Sequence, residues 1–240
     1  LTNDKLSIMK SSRPTGDRII VKLEHTGKTN VSTSSGNRKK SLWRKCSFDS
    51  GEFLKIPEET VLREALFKGM IVSQNRFEKL KAESDIVRGK EQLLNLLSYR
   101  SRSETELKQR LQKSGLNTDS THEIINDLKR MNLVDDEQFA RKFVHELVRR
   151  KPSGEFLIKS ELQKKGIEEE IIKKVINQEF NEINQVELAQ KGMQQWLSRH
   201  PRAGAGGSTE RHKKIAKFLY QRGFTWSTIE QVLGDSNAFA

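Results

Sequence analysis

The chain has 240 residues, a length that fits one large domain or several small ones, because single cores rarely grow beyond about 250 residues. Its 44 Lys and Arg outnumber its 32 Asp and Glu, and the formal net charge of +12 argues against an uncharged substrate and for a polyanionic partner, either nucleic acid or an acidic protein surface. Apolar residues are 34% of the chain and charged residues 32%, a balance typical of thin helical layers with much exposed surface.

Composition also limits the compartment and the chemistry. No window approaches the roughly 18 to 20 consecutive apolar residues that a membrane span needs, and residues 1–16 lack the apolar core of a secretory signal. Cys46 is the only cysteine, which excludes an internal disulfide and a cysteine-based zinc site. We therefore expect a soluble cytoplasmic protein without a membrane partner.

The front of the chain, residues 17–83, is predicted to contain a small sheet or hairpin. Apolar and polar residues alternate from Ile19 to Leu23, and two more strand-like runs follow at 42–48 and 53–56. The sixteen residues before this region are polar and without a pattern, so they are expected to form a mobile tail.

One helix is predicted at the end of this front region. Pro57 suits the first helical turn, and Glu58 and Glu59 are favourable beside the positive end of the helix dipole. Gly69 is predicted to end this helix.

The front region also holds a dense cluster of positive charge. Lys39, Lys40 and Arg44 surround Trp43, which is expected to be exposed and able to stack on bases or pair with cations. These four residues are candidate contacts to DNA or a protein partner.

From about residue 84 the pattern is helical throughout, and it repeats. Three segments share a Leu, three linker residues, a Gly and an apolar residue. A Gly at that place ends a helix in the left-handed conformation, and the residue after it packs back on the Leu. The glycines are Gly115, Gly166 and Gly223, and the leucines are Leu111, Leu162 and Leu219.

The repeated unit is predicted to be three helices. Ser103 with Glu106 and Asp135 with Gln138 have the spacing of helix N-terminal caps. A unit of roughly 50 residues is too small for a deep core, so neighbouring units should stack into an elongated, curved array. The predicted fold is mainly α, with a small β-containing N-terminal region. The predicted repeats are 84–134, 135–181 and 182–234, followed by a tail at 235–240.

The sequence contains no recognisable catalytic or metal-binding pattern. His145-Glu146 does not continue as H-E-x-x-H because position 149 is Arg149. The Gly-rich segment 204–209 lacks the Lys of a phosphate-binding loop. Trp196 and Trp226 occupy apolar helical positions and are predicted to lie in the core. The chain is therefore predicted to be a binding protein, with no enzymatic activity, cofactor or metal.

Three stretches together resemble the RecX family of bacterial recombination regulators. The first two are residues 100–107, R-S-R-S-E-T-E-L, and residues 133–140, L-V-D-D-E-Q-F-A. The third combines Gly154 with Ile158, Glu161-Leu162 and Lys165-Gly166-Ile167. The resemblance implies tandem three-helix repeats that bind the recombinase RecA along the groove of its filament on DNA and inhibit ATP hydrolysis and strand exchange. It also implies a monomer that acts in homologous recombination, DNA repair and the SOS response, and that binds single- and double-stranded DNA.

The resemblance and the density of basic residues near the middle of the array suggest one face for the partner. The candidates there are Arg100, Arg102, Arg141, Arg149, Arg150, Lys151, Lys164 and Lys165. One alternative is a stand-alone DNA- or RNA-binding helical-repeat protein without a recombinase partner. Another is a metal-dependent nuclease, for which the acidic pairs at helix starts are the only hint.

Overall fold

The computed structural model describes residues 14–32, 38–201 and 208–236. The chain divides into two compact units. Unit 1 comprises Leu1–Ser101 with Lys108–Leu133, and unit 2 comprises Arg102–Leu107 with Val134–Ala240. The first turn of one helix thus belongs to unit 2, while the rest of that helix belongs to unit 1. The predicted tails at 1–16 and 235–240 fall largely outside the described residues.

Unit 1 begins with an antiparallel sheet of four strands in the order β3-β2-β1-β4. The long strands β1 and β2 pair from Ile20 opposite Phe48 to Ser32 opposite Arg38. The predicted β region is confirmed, but the two-residue strand β4 is too short to leave an alternating pattern. The strands are β1 (Arg18–Ser32), β2 (Arg38–Phe48), β3 (Phe53–Pro57) and β4 (Ile71–Val72).

Helices and the turns between them make up the rest of the described chain, so the predicted mainly α fold with three-helix repeats is confirmed. The helix that opens the first repeat begins at Gln74, ten residues before the predicted boundary at 84. The domain boundaries themselves stay predictions. The helices are α1 (Glu58–Arg63), α2 (Gln74–Leu97), α3 (Glu104–Lys113), α4 (Thr118–Arg130), α5 (Asp136–Arg150), α6 (Glu155–Lys164), α7 (Glu169–Glu182), α8 (Gln185–Arg199), α9 (Ser208–Gln221) and α10 (Trp226–Ser236).

The prediction that α1 continues to Gly69 is wrong. The helix ends at Arg63, and Ala65 takes a left-handed φ of 47°. The Leu66 amide then donates to the Val61 carbonyl at 2.9 Å, which closes the turn. An alanine does here what a glycine usually does, so no sequence signal marks the end of the helix.

The three glycine turns are confirmed. Gly115, Gly166 and Gly223 have φ values of 88°, 72° and 81°. In each turn the residue after the Gly donates its amide to the carbonyl of the Leu four residues before the Gly, at 3.2 or 3.3 Å. All three leucines are fully buried, so each turn seals the end of a helix and the core below it.

Unit 1 and unit 2 each contain their own hydrophobic clusters. In unit 1, Cys46 packs with Ile20 and Phe48 between the sheet and the helices, and burial raises the pKa of its thiol to about 12. In unit 2, one cluster lies among α5, α6 and α7 and another among α8, α9 and α10. Cys46 is therefore a packing residue with little thiolate character at neutral pH.

Candidate partner-binding surface

The front candidates do not form an exposed aromatic site. The expectation that Trp43 is exposed is wrong, since only 6% of it is accessible and its Nε1 donates to Glu91 Oε2 at 3.2 Å. Arg44 is held by Glu58 at 2.6 Å. The backbones of Lys39 and Lys40 lie in β2, while their side chains lie outside the described part of the structure.

Two arginines precede α3 and differ in their surroundings. Arg100 is exposed and its Nη1 donates to the Ser101 carbonyl at 3.0 Å. Arg102 is half-buried, and its Nε is buried without a hydrogen-bond partner in the described residues. A buried donor without an acceptor is costly, and this Nε is inaccessible to a partner, so Arg102 as a partner contact stays a prediction.

The glycine turn of the second repeat docks on the start of α3. Ser103 caps α3 by accepting from the Glu106 amide at 3.2 Å and donates to the Lys165 carbonyl at 2.7 Å. Thr105 Oγ1 donates to the Gly166 carbonyl at 3.1 Å, and Lys165 Nζ bonds Glu106 at 2.8 Å. We call these five residues the first glycine junction. The candidate Lys165 thus ties the first turn of α3 to the end of α6 within unit 2.

The glycine turn of the third repeat docks on the start of α6 in the same way. The Gly154 amide donates to the Arg222 carbonyl at 2.8 Å, and the Phe156 amide donates to the Gly223 carbonyl at 3.1 Å. We call these four residues and Leu157 the second glycine junction. Its hydrogen bonds come from the backbone alone.

Arg141 lies inside an ion-pair network of the second repeat. Its guanidinium bonds Glu137 at 2.8 Å and Glu179 at 2.9 Å, and these carboxylates raise the pKa of Arg141, Glu137 most of all. His145 Nε2 also lies 2.7 Å from Glu179, of which only 9% of the side chain is exposed. Arg141 therefore holds α5 to α7.

The end of α5 carries the clearest exposed basic group. Arg149, Arg150 and Lys151 are all exposed, and only Arg150 has an ion pair among the described residues, a 3.2 Å contact to Glu146. Lys164, at the end of α6, is 64% exposed at its side chain and pairs with Glu161 at 2.7 Å. These exposed pairs are weak and salt-sensitive, so the cations can change partners.

Sequence reasoning missed a group of exposed aromatic side chains. The prediction that Trp226 lies in the core is wrong, since it is 58% exposed at the first residue of α10. Phe156 and Tyr220 are 61% and 67% exposed. A signal existed in the surrounding charge, because residues 211–229 contain five Lys or Arg and no Asp or Glu.

The described residues also show whether a metal centre or a membrane-spanning helix is present. No group of three or more His, Cys, Asp or Glu residues there has the arrangement of a metal site. No helix there is both long and apolar enough to cross a membrane.

Comparison with known proteins agrees with this architecture. The family description "RecX, first three-helix domain" matches residues 90–128, and "RecX, second three-helix domain" matches residues 135–176. The regulatory protein RecX of Pelodictyon phaeoclathratiforme is 34% identical over 140 residues, which cover 58% of this chain and 83% of that protein. The chain belongs to the RecX family.

Further members support this assignment. The regulatory protein RecX of Chlorobaculum tepidum is 32% identical over 60% of this chain and 88% of its own length. The RecX crystal structure from Lactobacillus salivarius is 26% identical, with a TM-score of 0.57 over 64% of this chain and 97% of that one. A second crystal structure of a regulatory protein RecX is 21% identical and shows the shared fold, with a TM-score of 0.62 over 90% of this chain and 98% of that one.

Proposed function

We propose that this protein is a regulator that binds RecA nucleoprotein filaments along their groove and inhibits ATP hydrolysis and strand exchange. Membership of the RecX family supports the recombinase partner. The proposal includes contacts to single- and double-stranded DNA, a monomeric state, a cytoplasmic location and no catalytic step of its own.

The observation that carries the proposal is the exposed basic end of α5. Arg149, Arg150 and Lys151 come at the end of the first helix of the matched second RecX domain. Three adjacent cations suit an acidic protein surface and the phosphates of DNA held inside a filament. Binding across neighbouring RecA subunits would oppose the movements that couple ATP turnover to strand exchange.

Charge reversal tests this surface. The variant with Arg149→Glu, Arg150→Glu and Lys151→Glu should lose most of its inhibition of RecA ATPase on single-stranded DNA. Its helix content and thermal midpoint should stay close to those of the parent, because all three side chains are exposed. The measurement is steady-state ATP hydrolysis by RecA against inhibitor concentration.

A matched control separates a specific contact from total charge. Lys68, Lys79 and Lys81 are exposed in unit 1, and reversing them changes the net charge by the same amount. We expect this control to inhibit as the parent does. Full inhibition by the α5 variant, or equal loss in both variants, would remove the end of α5 from the contact surface.

A titration without RecA separates this proposal from a stand-alone nucleic-acid binder. Filament regulation predicts much tighter binding to the RecA–DNA filament than to plain DNA. The alternative predicts tight, strongly salt-dependent binding to plain DNA or RNA.

A further inference from the structure

We propose that three exposed aromatic residues around Gly223 form a stacking site for the bases of single-stranded nucleic acid. The residues are Phe156, Tyr220 and Trp226, named here the aromatic turn. The proposal deepens the DNA contact of the proposed function and rests on it, since it names the residues and the strand form that they select.

The backbone holds these three residues around one point. The Phe156 amide bonds the Gly223 carbonyl at 3.1 Å, and the Gly223 amide bonds the Tyr220 carbonyl at 2.9 Å. Trp226 follows Gly223 by three residues and begins α10. The second glycine junction therefore fixes the backbone of the aromatic turn before any ligand arrives.

None of these three rings lies in the core of unit 2. Each is more than half exposed, although Tyr and Trp bodies are apolar and usually bury most of their surface. The core below the turn is already filled by Leu219 and Phe224, which are 0% and 1% exposed. Exposed aromatic surface held on rigid elements is typical of a binding site.

The charge around the aromatic turn selects an anionic partner. Lys217 lies one helical turn before Tyr220 and is exposed, and Arg222 lies next to Gly223. Lys151 comes three residues before Gly154, whose amide bonds the Arg222 carbonyl at 2.8 Å. Aromatic faces for bases with cations for phosphates are the two parts of a single-strand binding surface.

The geometry favours single strands over duplex DNA. The flat faces of the bases are covered by stacking within a duplex and are accessible in a single strand. The corresponding positions of the first glycine junction are Thr105, Gln163 and Glu169, none of which is aromatic. The stacking site is thus a property of the third repeat and its neighbour.

Binding to labelled oligonucleotides in the absence of RecA tests the site. Fluorescence anisotropy with oligothymidylate, oligouridylate and a duplex of equal length should show tighter binding to both single strands than to the duplex. Trp226→Ala and Tyr220→Ala should each weaken single-strand binding by about tenfold, while Trp226→Phe keeps a ring and should retain most of it.

Intrinsic fluorescence gives a second readout. Oligothymidylate should quench the parent protein, and Trp226→Phe should abolish that quenching while it still binds. Phe156→Ala should also weaken single-strand binding. Phe67→Ala is its matched control, because Phe67 is 60% exposed in unit 1 and Phe156 is 61% exposed. Equal affinity of the Ala variants and the parent, or equal affinity for duplex and single strand, would overturn the proposal.

The same assay identifies the other class of partner. Quenching of Trp226 by RecA protein alone, with none by oligothymidylate, would make the aromatic turn a protein contact and refute the stacking site. Because the oligonucleotide assay contains no RecA, it can fail while the ATPase test of α5 succeeds, and the reverse holds too. Thermal melts of each variant establish that the fold is intact.

Discussion

The two glycine junctions of unit 2 both attach a glycine turn to the start of a helix, but they use different chemical groups. In both, the carbonyls of a glycine turn are bonded by the start of the middle helix of the preceding repeat. The first junction uses the hydroxyls of Ser103 and Thr105, and the second uses the amides of Gly154 and Phe156. The geometry of the repeat is therefore set by the backbone of the turn, and side chains are free to differ.

This difference determines which side chains at each junction stay exposed. The side chains of the first junction bond across it, including Lys165 with Glu106. The second junction is closed by backbone atoms, so the Phe156 side chain remains exposed, as does that of Tyr220 beside the junction. The Arg222 guanidinium lies over the Phe218 ring, 5.1 Å from its centroid. A repeat protein can thus carry a structural joint and a binding surface at equivalent places.

The largest expected effect comes from a methyl group in the second junction. In Gly223→Ala the new Cβ would lie 2.2 Å from the Leu157 amide nitrogen, and a backbone atom cannot rotate away. With the left-handed φ, the variant should lose about 3–5 kcal/mol of unfolding free energy, measured by urea denaturation.

Gly115→Ala is the matched control for that loss. Its φ of 88° is similar, but no described atom lies within 4 Å of the added Cβ. Gly115→Ala should lose only the free energy that the left-handed φ costs an alanine, about 1 kcal/mol. Equal losses at Gly115 and Gly223 would mean that the close approach at the second junction does not exist.

A variant of the first junction should lose an intermediate amount of unfolding free energy, and a second substitution should restore part of it. In Gly166→Ala the added Cβ meets the side chain of Thr105 at 2.4 to 2.5 Å, and we expect a loss of about 2–4 kcal/mol. Thr105→Gly removes the obstructing atoms, so the double variant should be less unstable than the sum of the two single variants. A purely additive cycle in urea denaturation would contradict the contact.

Local signals were readable from the sequence, and long-range partners were not. The spacing from Leu111 to Gly115 predicts a helix end because every interaction in that motif is local. Trp43 could not be placed, since its partner Glu91 is 48 residues away. Lys165 looked like a free cation for the same reason, with Glu106 59 residues distant. Positive charge predicted the class of partner, while pairing within the fold decides which cations remain free.

The polar side chains of the first junction can be removed one at a time. Ser103 is fully buried, caps α3 and bonds the Lys165 carbonyl. Ser103→Ala should cost about 1–2 kcal/mol in urea denaturation because one carbonyl and one amide lose their partner. The equivalent Gly154 has no side chain, so the second junction has no such dependence. A neutral Ser103→Ala variant would show that water replaces the hydroxyl at no cost.

Acid should weaken the ion pairs of the second repeat and leave the backbone hydrogen bonds of the second junction unchanged. Lys174, and then Arg141, lower the pKa of Glu137 below its usual range. A carboxyl with a lowered pKa in the folded state adds stability above its unfolded pKa of about 4.3, and that contribution disappears as the pH falls through the folded value. Glu137→Gln should therefore lower the thermal midpoint slightly at neutral pH and have a smaller effect in acid. The control is Glu123→Gln, at an exposed position without an ion pair in the described structure. If the effect of Glu137→Gln on the thermal midpoint stays constant from neutral pH to acid, the charge of Glu137 does not stabilise the repeat.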